Sequence, residues 1–268
     1  MSATETFLRA AFEPLQYFAF FGALTVIGTL EVVCRTPPRA DRRLRWPANF
    51  ALTAINVAIL ALLPLSQLAV ADVAQGHGVG LLNLAEPPAA IALVAGFLAR
   101  TLIGYGIHRA MHAIPWLWRV HRVHHTDTAM DISTTVRFHP LEFAISVPLA
   151  LAGVALFGVP PLAILIYELV DAAMAVATHG RLRLPVGLDR WLGWVIVTPN
   201  MHLIHHSAEQ RETDSNFGAV LTCWDRLFGT FRTGPATGPA VIGLADDDRD
   251  RAHHLGGMLV APFLSRRG

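Results

Sequence analysis

Apolar residues run in long blocks along this chain. Residues 15–33, 50–70 and 89–107 are almost continuously hydrophobic, and a longer block covers 141–178. A bilayer core ~30 Å thick is crossed by about 20 apolar residues in a helix, so each of the first three blocks has the length of one crossing. The fourth is interrupted by Gly158-Val159-Pro160-Pro161, a turn signal. It reads as a helical hairpin, either re-entrant or fully spanning. The pattern predicts an all-α integral membrane protein with four to five transmembrane or re-entrant helices. The first block lacks a basic leader and a small-x-small cleavage site, so it is not expected to be a removed signal peptide. There is no repeat at a solenoid period.

Composition supports this reading. Hydrophobic residues make up 53% and charged residues 15%, whereas soluble chains sit nearer a quarter charged. The low charge excludes a disordered chain, and the net charge of +1 excludes a nucleic-acid binder. The two cysteines, Cys34 and Cys223, imply no disulfide scaffold.

The 21 basic residues are all arginine. Arg35, Arg39, Arg42, Arg43 and Arg45 follow the first block, while 71–88 and the Gly158 turn hold none. The positive-inside rule puts Arg35–Arg45 in the cytoplasm and the N-terminus outside. Residues 108–140 and 180–268 then form a cytoplasmic helical cap together with the C-terminus. Arg100, near the inner end of the third block, is expected to snorkel to the interface. The acidic stretch 246–251 reads as solvated surface.

Histidine is the chemical signal. Of 13 histidines, eight fall in three groups: His108 and His112; His121, His124 and His125; His202, His205 and His206. Positions i, i+3 and i+4 share one helix face, so each group can aim its imidazoles at one point. H-x-x-H-H is expected by chance about 0.03 times in such a chain, and it occurs twice. Thr198-Pro199 reads as an N-cap followed by Pro at the first helical position, opening the helix of the last group. Imidazoles suit Zn, Cu, Fe and Ni, and eight neutral nitrogens exceed the needs of one ion. A pair of metals is the economical reading. No H-E-x-x-H occurs, which disfavours a hydrolytic zincin. The absence of nearby cysteine disfavours structural zinc or iron–sulfur.

These residues resemble the fatty acid hydroxylase superfamily, which includes sterol desaturases, C4-methylsterol oxidases, fatty acid 2-hydroxylases and alkylglycerol monooxygenase. The resemblance covers about 108–231. It rests on His108-Arg109-x-x-His112, Trp116-Leu117-Trp118, His121-x-x-His124-His125 and Arg137-Phe138-His139-Pro140-Leu141-Glu142. It continues in Thr198-Pro199, His202-x-x-His205-His206-Ser207, Asn216-Phe217-Gly218 and 224–230. The resemblance implies a single membrane-embedded domain over 1–268: two helices in 1–88, a histidine-box core in 89–232 and a tail in 233–268. It implies a di-iron, O2-dependent lipid hydroxylase, with zinc an alternative occupant of a purified sample. A desaturase of the same superfamily is the second reading, and a non-catalytic metal-binding or transport protein the third. A separate electron donor, ferredoxin or cytochrome, follows by analogy, since no haem or dinucleotide motif is visible.

The implied ligands are His108, His112, His121, His124, His125, His202, His205 and His206, with His179 as a ninth. Ligand histidines need outer hydrogen-bond partners to fix the tautomer. Asp225, Asn216, Glu142, Asp171 and His139 are the candidates. His77, His253 and His254 are expected at the surface. Two departures stand out: Thr101 where relatives often carry Asp, and Ala175 where some hydroxylases carry a further His.

Overall fold

A computed structural model describes residues 3–33, 42–62, 66–234, 239, 241–244 and 249–264. Cys34, Arg35, Arg39 and the acidic residues 246–248 lie outside the described residues. Among those described there are no strands, only the isolated bridges Ile196–Leu221 and Ser207–Ile242. The helices in chain order are α1 (Ala3–Val33), α2 (Arg42–Ala61), α3 (Gln67–Gly76), α4 (Leu81–Ala85), α5 (Ala89–Ala113), α6 (Pro115–His125), α7 (Pro140–Phe157), α8 (Pro161–His179), α9 (Val186–Leu192), α10 (Pro199–His205), α11 (Gln210–Thr213), α12 (Cys223–Leu227), α13 (Arg249–Ala252) and α14 (Leu255–Val260).

Five of these, α1, α2, α5, α7 and α8, are long and apolar enough to cross a membrane. The predicted hairpin is present. Gly158 closes α7 at φ 63°, a left-handed conformation that glycine adopts without a Cβ penalty, and Pro161 opens α8. The second block behaves differently from its reading as one span over 50–70. Helix α2 begins earlier, at Arg42, and ends at Ala61. A separate helix, α3, starts after Ser66, whose side chain accepts a hydrogen bond from the Ala69 amide. That N-cap sets where the second of the two helices begins.

Helix α5 packs against α6, α7 and α8, α1 lies along α8, and α3 leans on α7 and α8. The shared core is Ala71, Ala99, Ile103, Ala150, Val154, Val159, Ala163 and Ile164. Half of these are alanine, which lets backbones approach closely where lipid offers no hydrophobic drive. At Gly153 a Cβ would meet the Ile103 side chain at 2.9 Å, so α5 and α7 touch only because no side chain intervenes.

A buried polar network ties the cap to this bundle. Arg45 is 0% exposed. Its guanidinium donates to both oxygens of Asp127 at 2.6 and 2.8 Å and to Asp131 at 3.1 Å. Arg45 is therefore a structural cation rather than a free basic residue at the interface. Arg137 donates to the Val123 and Ala252 carbonyls, Asn49 and Thr126. Burial pushes Asp127 up, but the guanidiniums of Arg45 and Arg137 more than reverse this and hold it well below the usual carboxylate range. Arg100 also departs from expectation. It does not snorkel: it is 8% exposed and donates to Gln67 inside the bundle.

Candidate metal centre

Four elements bring the nine histidines together. His108 and His112 lie on the last two turns of α5, and His121, His124 and His125 on α6. His179 is the last residue of α8, and His202 and His205 lie on α10 with His206 at its C-cap. The Thr198 hydroxyl caps α10 by accepting from the Met201 amide, as the sequence predicts.

The histidines form two clusters, in each of which the candidate ligand atoms lie within 4.8 Å of one another. The first comprises His108, His112, His121, His125 and His205; the second comprises His124, His179, His202 and His206. Each H-x-x-H-H box is thus divided, which corrects the expectation that a box aims at one point. On α6 the i and i+4 members join the first cluster and the i+3 member the second. On α10 the assignment is reversed. Adjacent rings turn to opposite sides of the helix face, so two antagonistic directions need two boxes to complete them. The clusters touch where His125 and His206 stack with ring centroids 4.5 Å apart.

Hydrogen bonds to the far side of six of the nine rings set their tautomers. Nδ1 of His108 meets the Phe217 carbonyl at 2.9 Å, Nδ1 of His121 meets Glu142 at 2.8 Å, and Nδ1 of His205 meets the Ser215 carbonyl at 2.7 Å. Nδ1 of His112 faces Asp214 at 3.3 Å. In the second cluster Nδ1 of His124 meets the Arg137 carbonyl at 3.2 Å and that of His179 the Ala175 carbonyl at 2.7 Å. A pure acceptor on Nδ1 requires the proton there, so Nε2 carries a lone pair. Yet His108 Nε2 lies 3.1 Å from His121 Nε2, and His179 Nε2 lies 3.2 Å from His124 Nε2. Two lone pairs cannot hydrogen-bond each other. A shared cation satisfies both, and imidazole nitrogens ~2.0–2.1 Å from one ion stand about 3 Å apart. Among the described residues, buried nitrogens of His112, His125, His202, His205 and His206 also lack hydrogen-bond partners. The residues present therefore fit a pair of metal ions.

Electrostatics agree. Burial, reinforced by the neighbouring imidazoles, lowers His124, His125, His202 and His206 well below the usual histidine range, and brings His205 down to about 3. These rings are neutral near pH 7, the state a metal requires.

A cavity of 390 Å³ leads from the clusters between α5, α7 and α8. His108, His121, His124, His179 and His202 line one part, and Ile107, Met111, Phe138, Phe143, Val147 and Ala150 give it an apolar wall.

The outer candidates separate. Glu142 contacts a cluster histidine directly. Asp225 acts through the backbone: it accepts from the Phe217 and Gly218 amides and the Thr230 hydroxyl, fixing the loop whose Phe217 carbonyl holds His108. Asn216, at φ 53°, clasps the Met201 and Arg232 carbonyls. Asp171 reaches no histidine and accepts from Tyr167 instead. His139 caps α7, accepting from the Leu141 amide, and its Nε2 donates to the Leu259 carbonyl. Of the three histidines expected at the surface, His77 and His254 are exposed, but His253 is half-buried and bonds Thr128. Sequence reasoning missed Asp214 and the four main-chain carbonyls. The departures at Ala175 and Thr101 are also accommodated: Ala175 supplies a carbonyl to His179, and Thr101 accepts from the Trp224 indole.

An all-helical bundle with five membrane-length helices, capped by paired histidine clusters at the mouth of an apolar cavity, defines a membrane-type protein with two candidate metal-binding clusters. Residues 93–230 match the fatty acid hydroxylase family, and the chain belongs to it. It is 31% identical over 157 residues to the ornithine lipid hydroxylase OlsE of Rhizobium tropici, covering 59% of this chain and 46% of that protein. It is 29% identical over 142 residues to alkylglycerol monooxygenase of Caenorhabditis elegans, covering 53% and 27%. With human cholesterol 25-hydroxylase it shares 28% identity over 132 residues, covering 47% and 46%. The chain spans less than half the length of these curated relatives. No solved structure matches it.

Proposed function

We propose that the chain is a membrane-bound, O2-dependent lipid hydroxylase with a di-iron centre. The observation that carries this is the pairing of facing imidazole lone pairs at one part of an apolar cavity between membrane-length helices. The nine histidines are the ligands, divided five and four. Iron bound there would supply the reduction of O2 and the oxidation of an unactivated C–H bond, with electrons from a separate ferredoxin- or cytochrome-type donor. The chain's own part is positional. Glu142, Asp214 and the carbonyls of Phe217, Ser215, Arg137 and Ala175 hold the imidazoles in the Nδ1–H tautomer. The cavity wall orients a lipid chain and excludes water. The relatives named above are hydroxylases or monooxygenases of lipids, which favours hydroxylation over desaturation. Placement of all nine ligands at helix ends, rather than along a polar path through the bundle, argues against a transporter.

The whole chain forms one catalytic unit, with 89–232 carrying the site. The cap and C-terminus face the cytoplasm and the N-terminus lies outside; a C-terminal reporter reading the opposite side would reverse this. Lipid profiling of cells with and without the chain tests the activity. A product heavier by one oxygen is expected. A product lighter by two hydrogens would replace the hydroxylase with a desaturase.

A further inference from the structure

A second polar cluster lines the same cavity, inside the membrane-spanning part. Arg100 of α5 donates through Nε to Gln67 at the start of α3, and Gln67 donates onward to Glu168 of α8 at 3.1 Å. The Tyr167 hydroxyl donates to Asp171 at 3.0 Å, and the guanidinium lies 4.1 Å from the centroid of the Tyr167 ring. Ionisable groups at this depth are costly and usually mark a functional path. Arg100 is 8% exposed, and among the described residues its Nη1 has no hydrogen-bond partner. Gln67, Arg100, Tyr167 and Asp171 all face the cavity that His108, His121, His124, His179 and His202 line. Gly104 leaves the space beside the free donor open: a Cβ there would sit 3.5 Å from Arg100 Nη1 and 3.6 Å from the Tyr167 hydroxyl.

Two helices give the spacing independently. Arg100 precedes His108 by eight residues on α5, and Asp171 precedes His179 by eight on α8. At 1.5 Å per residue both place the polar cluster ~12 Å from the histidines along the helix axis. The charge decides what fits. One guanidinium faces two carboxyl groups, so the cluster carries no net positive charge to draw in a carboxylate or phosphate. Around the space beside Gly104 it offers the Arg100 Nη1 donor and the oxygen of the Tyr167 hydroxyl, itself bonded to Asp171, a pairing that matches a group that both accepts and donates.

We propose that Gln67, Arg100, Tyr167 and Asp171 anchor a neutral hydroxyl group of the lipid substrate. This holds the carbon to be oxidised ~12 Å away at the histidine clusters. The proposal deepens the hydroxylase reading and rests on it for the role of the histidines. It makes the substrate a lipid alcohol, entering with its hydroxyl directed away from the metals.

The test uses the 268-residue chain as purified, in phosphatidylcholine nanodiscs, and reads binding rather than turnover. A dodecanol bearing a diazirine at its far end is photocrosslinked and the labelled peptide identified by mass spectrometry. Saturable labelling is expected on the histidine side, at Met111 or Phe138. Unmodified 1-dodecanol should compete at about tenfold lower concentration than dodecane or dodecanoate, the size of effect given by hydrogen bonds to charged groups. Arg100→Leu should erase that preference. Gly104→Ala, whose methyl meets only ordinary contacts, should reduce it several-fold without disturbing the fold. Equal competition by dodecane, stronger competition by dodecanoate, or labelling near Tyr167 would each overturn the anchor. Because binding is read without catalysis, an absence of turnover with this labelling pattern intact would remove the hydroxylase reading alone.

Discussion

In the five-histidine cluster two imidazoles face carboxylates, Glu142 and Asp214, and two more are held by carbonyls. Among the described residues, the only oxygen partners in the four-histidine cluster are the carbonyls of Arg137 and Ala175, while His202 Nδ1 and both nitrogens of His206 have none. Exposure to the cavity runs the other way. Three of the four histidines of the second cluster line it, against two of five in the first. A carboxylate behind an imidazole raises its basicity and stiffens the ring. Sites that keep a position free have fewer protein ligands than closed ones. With metals bound as proposed, the five histidines and two carboxylates of the first cluster would hold an ion firmly, and the four histidines of the second would hold one beside the cavity.

The largest test removes one ligand from each. His205→Ala empties a place in the first cluster and His124→Ala one in the second. Each variant should retain about one metal per chain and lose oxygenation, because the clusters act as one centre. Metal analysis of the purified protein, alongside product formation, reads both. A variant that keeps two metals and full activity shows that the replaced histidine is no ligand.

Glu142→Gln sharpens the comparison further. Glutamine keeps an acceptor at His121 but removes the charge. Loss of an outer partner typically costs 10–100-fold in metal affinity. Chelator competition should show that loss for one metal and an unchanged second. Equal weakening of both would mean that the clusters are not separately supported.

This contrast is only half legible in the sequence. The first, third and fourth apolar blocks, the Gly158 turn and the Thr198 cap follow local rules of periodicity and capping, and the structure has a helix, turn or cap at each, whereas the second block divides into α2 and α3. The division of each H-x-x-H-H box follows no such local rule. Spacing tells which rings share a helix face, but not that rings about 60–100° apart on that face serve different centres, because this depends on the helix opposite. The outer partners are equally hidden. His112 meets Asp214 across 102 residues, and most other acceptors are backbone carbonyls, whose positions no side-chain pattern records. Asp171 reads from the sequence as a candidate partner of a ligand histidine, not as part of a distant polar cluster. Composition likewise cannot show that Arg45 is buried against Asp127.

A smaller, graded effect comes from pH, measured on chelator-stripped protein. His205 titrates near 3 in the fold, and His124, His125, His202 and His206 are also lowered, whereas an unfolded histidine titrates near 6.5. Below pH 6.5 the unfolded chain therefore binds more protons than the folded one, and stability falls as the medium is acidified. Each such ring contributes up to ~1.4 kcal/mol per pH unit within its window, which for His205 runs from about 6.5 down to 3. The second cluster supplies three of these five rings, so His206→Leu should flatten the slope by one proton. Thermal melts across pH 7 to 4 check it. A flat profile would mean that the imidazoles are solvated. Added metal, which competes with protons for the same nitrogens, should restore stability over the upper part of the window.

The smallest effect separates the two carboxylates of the first cluster from each other. Asp214 and Glu142 both face an Nδ1, but their surroundings differ. The Asp214 side chain is 43% exposed and 3.3 Å from His112, while that of Glu142 is 11% exposed and 2.8 Å from His121. Water and salt screen the exposed pair, and exposed ion pairs are generally worth ~1 kcal/mol or less. Asp214→Asn should therefore weaken metal retention only a few-fold, less than Glu142→Gln, and the difference should shrink as salt is raised. The same chelator competition, run at low and high salt, measures both variants. If Asp214→Asn matched or exceeded Glu142→Gln, burial would not be what ranks the two partners. The firm hold of the first cluster would then lie at its exposed edge, where His112 closes the site, rather than at the cavity wall.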